Sequence, residues 1–201
     1  MTTSITASAV VLFSSIEDPA KHLSHLSHAL GFKNYQSDRL PFLNLEVDSC
    51  EVTAMYQSKR NNGSNWKRIA EESILFREAH NIVRSHQSHM MVHVSSLTQG
   101  PLSVARLLSK AVAGISSSGV LWLPSKLISP PSYFETDSSQ YPSSLAWVKP
   151  RIFRNKEAIG AASTGLDFFA GYEIVIDAEP GATPSVQIDT LMKIVSWVIG
   201  D

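Results

Sequence analysis

Residues 40–56, LPFLNLEVDSCEVTAMY, hold two strand-like runs, 40–47 and 50–56, on either side of Asp48-Ser49. A two-residue break between two such runs is the spacing of a β-hairpin, although this turn lacks the glycine such turns favour. The hairpin commits this part of the chain to antiparallel pairing, and the neighbouring segments have to be fitted around it.

Upstream, residues 8–13 (SAVVLF) form a short β-branched run of the kind found in buried strands. Asp18-Pro19 then opens a helix, Asp as N-cap and Pro in the first turn, and Gly31 closes it. Leu23, Leu26 and Leu30 fall within one arc of that helix and should face the core. Downstream, the polar loop 59–65 (KRNNGSN) leads into one predicted helix over 66–84. Trp66, Ile69, Ala70, Ser73, Phe76 and Ala79 keep helical spacing there, while Lys67/Glu71 and Arg68/Glu72 make i,i+4 charge pairs on the wet side. A strand at 89–94 (HMMVHV) and a helix over 101–115, with Pro101 at its start and Gly114 near its end, follow.

The first half therefore reads β-α-β-β-α-β, the split βαβ order of a ferredoxin-like unit. In the second half, 119–123 (GVLWL) is a strand, and 124–142 is a Pro- and Ser-rich connection with one helical turn around Tyr133-Phe134. Residues 145–154 (LAWVKPRIFR) read as a strand whose Pro150 places it at an edge or bulge. Strands at 157–163 and 171–178 flank the turn at Gly165, and Thr183/Pro184 opens an amphipathic helix ending near Ile199. The expected fold is one α+β domain over 1–201, a mixed, mostly antiparallel sheet with helices on one face.

Composition narrows the function. The chain of 201 residues is 43% hydrophobic, enough for a real core, and only 17% charged, against roughly 25% in typical soluble domains. Its 17 basic and 18 acidic side chains give a net charge of -1, so no global field draws in nucleic acid or anionic membranes. The pairs Lys59-Arg60 and Lys67-Arg68 read as solvated surface. The single cysteine, Cys50, lies in a strand, where it acts as a small core residue, and gives no sign of an oxidising compartment. Residues 1–13 have an apolar run without a basic leader or cleavage site, and no window reaches the length of a membrane span, so the expected location is the cytoplasm.

The strand HMMVHV, the following helix, GVLWLP, PPSYF, LAWVKPRIFR and TGLDFFAGYEIVI together resemble an uncharacterised bacterial family, a domain of unknown function, over roughly residues 89–178. Thr164, Gly165, Leu166, Gly171 and Glu173 carry the resemblance. It implies a bacterial origin and a small α/β domain of the sort linked with secretion or toxin defence, and brings no activity with it.

No recognisable catalytic signature is present. His22, His25 and His28 form a slanting stripe on the first helix without an acidic or sulfur ligand to complete a zinc site. His89 and His93 share one face of a strand but stand about 13 Å apart, too far for one ion, so neither metal nor cofactor is expected. GAASTG at 160–165 lacks the Lys and Ser/Thr of a phosphate loop. Glu173, flanked by Tyr172 and Ile174, is the carboxylate to examine, with Arg151 or Arg154 as its cation and His93 as a third member of a possible polar site. Such a site would suit a small hydrolase or transferase. The leading expectation is instead a non-catalytic protein-binding domain, an immunity-type or adaptor protein. Trp66, Tyr133, Phe134 and Tyr141 lie at element ends or in the long loop, and would anchor the partner protein there.

Overall fold

The computed structural model describes residues 3–32, 40–61, 65–135 and 144–200. In chain order its elements are β1 (Ile5–Phe13), α1 (Pro19–Ala29), β2 (Phe42–Val47), β3 (Cys50–Gln57), α2 (Trp66–Glu72), α3 (Ala79–Ser85), β4 (Ser88–Ser96), α4 (Pro101–Ala113), β5 (Gly119–Trp122) and β6 (Leu127–Ser129). A 3-10 turn over Pro131–Phe134 follows, then α5 (Ser144–Trp147), β7 (Arg151–Asn155), β8 (Ala158–Ala162), α6 (Asp167–Ala170), β9 (Val175–Pro180) and α7 (Pro184–Ile199).

Local chemistry explains the elements the sequence predicts. Asp18 caps α1 by accepting from the Ala20 N–H at 3.0 Å, Pro19 follows at the first turn, and Gly31 takes φ 97° just beyond the end. The hairpin turns on Asp48 and Ser49, both with positive φ, as a type I′ turn requires. Its carbonyls are held from outside, which steadies a turn built without glycine: Ser96 Oγ donates to Ser49 O at 2.8 Å and Gln99 Nε2 to Asp48 O at 3.2 Å. Thr183 caps α7 by accepting from the Val186 N–H.

Among the described residues the strands form one six-stranded sheet, ordered β2-β3-β4-β1-β5-β6, and one three-stranded sheet, β7-β8-β9. The α+β class and the antiparallel pairing stand, and every ladder described is antiparallel rather than mixed. The ferredoxin-like start does not form. A split βαβ leaves one strand between β1 and β2, whereas here both β3 and β4 intervene. Helices also occupy both faces of the larger sheet. Ala7, Ala9, Val11 and Phe13 of β1 point towards α1 and α4, while Val10 and Leu12 point to Trp66, Ile69, Ala79 and Val83 of α2 and α3. The β1 run SAVVLF is apolar at successive positions because both of its faces are covered.

Three local expectations are corrected. The helix predicted over 66–84 is two helices, because Ser73 leaves the helical path and ties itself to the sheet. Its Oγ donates to Ile69 O at 2.7 Å and accepts from Ile128 N at 3.0 Å. Phe76 consequently sits half-buried in the turn between α2 and α3. Residues 144–147 form the helical turn α5 instead of the start of a strand, placing Trp147 in the core with its indole N–H on Ser109 Oγ of α4 at 2.8 Å. The connection 124–142 begins with the buried strand β6, paired to β5 through Trp122↔Leu127.

One continuous apolar core joins the two sheets. Trp122, Phe134, Trp147, Ala161, Leu166, Leu191 and Val195 belong to it, with α7 packed on the small sheet and the 131–134 turn and α6 packed on α4.

Candidate functional site

The sequence proposes a polar site at Glu173, Arg151 and His93, and the fold separates its members. Glu173 precedes β9, and its carboxylate accepts from Ser163 Oγ in a short hydrogen bond, from Gly165 N at 2.6 Å and from Leu166 N at 3.3 Å. Ser163 Oγ in turn accepts from Ile174 N at 2.8 Å, and Lys149 and Thr164 exchange backbone hydrogen bonds of 2.9 Å. Gly165 is required at the centre of this loop. Its φ is +95°, and a Cβ there would lie 2.5 Å from Ser125 Cβ. With three donors on its two oxygens, Glu173 works as a clamp that fastens the 163–166 loop to the start of β9.

His93 stands elsewhere, on β4 of the larger sheet, with Nδ1 2.8 Å from Ser8 Oγ. Arg151 opens β7, exposed, opposite Ala162. Its charge helps to hold the Glu72 carboxyl below the usual range, after the stronger effect of the Lys149 hydrogen bond. The three residues do not converge, so the acid, base and cation of a catalytic site are not assembled there.

The aromatic anchors are corrected as well. Phe134 is 0% exposed, with its ring 6.3 Å from that of Trp122. Tyr133 is half-buried against the same core. Trp66 is 9% exposed and stacked on His86 at 5.8 Å. Tyr141 lies outside the described residues. Among the described residues the most exposed aromatic side chain is on α7, where Trp197 is 82% exposed and shares a stripe with Ile194 and Val186. A helical wheel of this segment carries the signal: Leu191, Val195 and Ile199 face inward at intervals of four, and Trp197 lies midway between the last two, on the opposite side.

Burial, rather than a ligand, defines the histidines. His22 departs from the solvent stripe expected for it and is buried between the rings of Phe13 and Tyr56, at 4.1 and 5.3 Å, while His25 and His28 are exposed. His86 accepts from Asn61 N at 3.1 Å through Nε2, which places its proton on Nδ1, donating to Val83 O at 2.8 Å. His89 Nδ1 donates to Lys59 O at 2.9 Å. No group of three or more His, Cys, Asp or Glu converges among the described residues.

All three buried imidazoles titrate below the ordinary histidine range. Burial is the main cause in each, and it outweighs Glu17 beside His22, the Val83 carbonyl on His86 and the Lys59 carbonyl on His89. Because the folded chain holds fewer protons than the unfolded chain in this range, their contribution is complete above about pH 6.5 and is lost as pH falls towards the lowered folded values. The unfolding free energy should therefore drop between pH 7 and 5, by at most about 1.4 kcal/mol per pH unit for each histidine. A flat profile over that interval would show that the imidazoles protonate without cost.

No family model, curated protein or solved structure matches the chain. Among the described residues no helix is long and apolar enough to cross a membrane.

Proposed function

We propose that this chain is a non-catalytic protein-binding domain of the bacterial cytoplasm, of the immunity or adaptor kind, which engages its partner protein through the outer face of α7. The exposure of Trp197 carries the proposal. Large aromatic side chains lose the most free energy when left in water and dominate interfaces once covered. Among the described residues Trp197 is the most exposed large apolar side chain, and Ile194 and Val186 extend its patch along the helix. Asp189 and Lys193 lie exposed beside them. They give the patch the polar rim that typically surrounds an interface centre. The fitting partner is a protein with an apolar groove and one charge of each sign at its edge. The alternative of a hydrolase or transferase near Glu173 and the His89/His93 strand is weakened, since Glu173 is taken up by its clamp and His93 is on a different sheet.

Trp197→Ala should leave the melting temperature nearly unchanged, because an exposed side chain contributes within about 0.5 kcal/mol to folding. The same substitution should weaken the partner complex by about 2 kcal/mol or more. Proteins captured by the wild-type chain can be quantified against those captured by the variant. A specific partner retained by the first and lost from the second supports the proposal, and identical capture by both overturns it.

A further inference from the structure

Two basic pairs that are separate in sequence, Lys59-Arg60 and Lys67-Arg68, each contribute one residue to a single cleft of about 420 Å3. Arg60 comes from the connection after β3, Trp66 and Lys67 from the first turn of α2, and His80, Val83 and Arg84 from α3. Among the described residues no Asp or Glu lines it, in a chain whose net charge is -1.

We propose that this cleft binds a phosphoryl group. The argument rests on charge and on donors. Arg60, Lys67 and Arg84 bring three cationic side chains, with His80 beside them, and Glu71, outside the lining, pairs with Lys67 at 3.8 Å and offsets part of its charge. A single carboxylate would offset one of these charges. A phosphoryl group, with a charge of roughly -1.5 to -2 and three acceptor oxygens, matches the set more closely. The donors are also partly organised. Arg60 Nη2 is anchored on Val83 O at 3.2 Å, so part of the guanidinium is fixed while its other N–H groups stay available. Behind them Trp66, stacked on the neutral ring of His86, makes an apolar wall. Such a wall excludes water from one side and strengthens the field in the cleft. Burial chiefly, and then the Arg60 charge, keep His86 neutral, in keeping with a positive potential at this place.

The phosphoryl group can come from a free phosphate compound or from a phosphorylated residue of a protein. The whole chain is titrated calorimetrically, at constant ionic strength, with inorganic phosphate, acetate, a phosphoserine peptide and the same peptide unphosphorylated. Saturable binding of the phosphate-bearing probes, with none of acetate or of the plain peptide, is the expected result. Lys67→Gln and Arg84→Gln, both at exposed positions, should each weaken binding by about tenfold with an unchanged melting temperature. If the phosphopeptide binds more tightly than inorganic phosphate, the source is a modified protein; equal affinity assigns it to a free compound. The proposal is overturned if phosphate binds no better than acetate, or if both variants bind as the wild type does.

Discussion

Replacing Phe134 by alanine is expected to lower the unfolding free energy by about 3–5 kcal/mol. The ring is wholly enclosed, packed near Trp122 in the core that also holds Trp147 and the inner face of α4. Truncation removes the ring's transfer free energy and leaves a cavity that a close-packed core closes only in part. Trp147 in the same core is held in place, since its N–H is bonded to Ser109 and its ring is stacked on Phe169 at 5.4 Å. Denaturant titration measures the loss directly. A value below about 1 kcal/mol would place the ring outside the core and return the 131–134 turn to the surface. Set beside Trp197→Ala, the experiment separates an aromatic residue that holds the fold from one the fold leaves outside.

Glu72→Ala is expected to cost about 2–3 kcal/mol, below the roughly 3–5 kcal/mol for breaking a fully buried pair because Glu72 itself is half-exposed. Its partner is the reason for a cost of that size. Lys149 is 3% exposed, and its Nζ stands 2.7 Å from Glu72 Oε2. Without that carboxylate the ammonium would be left buried without a countercharge. The pair also has an architectural consequence, because Glu72 ends α2 on one face of the larger sheet while Lys149 belongs to the connection entering the small sheet. It joins the two around β6, next to the Ser73 to Ile128 bond. Lys149→Met alone, which removes the cation and keeps an apolar stem, should cost less, and combining it with Glu72→Ala should restore part of the loss. A double-mutant cycle measures the coupling. Strictly additive costs would show that the two residues act independently.

The Glu72 carboxyl, held below its usual range first by the Lys149 hydrogen bond, contributes stability that is complete above the ordinary carboxylate value and is lost as pH falls through the lowered one. Its window thus lies below that of the histidines, and the two can be told apart in one pH series.

The amino-acid sequence alone determined the elements whose causes are local. Asp18-Pro19 and Gly31 delimit α1, Asp48-Ser49 joins β2 to β3, Thr183-Pro184 starts α7, and the inward positions Leu23, Leu26 and Ile69 are buried as their spacing requires. Caps, turns and periodicity act over a few residues, so they can be read from a few residues. The tertiary structure alone decided whatever depends on a partner far along the chain. Ser73 could have continued a helix until Ile128 offered its N–H, and LAWV could have been a strand until Trp147 found Ser109. Neither the insertion of β4 between β3 and β1 nor the covering of both faces of β1 is encoded in any one segment. The candidate sites follow the same division. The sequence picked out Glu173, but only packing turned it into a loop clamp. The sequence also contains Arg60, Lys67 and Arg84, but only the docking of α2 and α3 brought them to one cleft. A side chain's chemistry belongs to its residue type, whereas its burial and its neighbours are set by contacts across the whole chain.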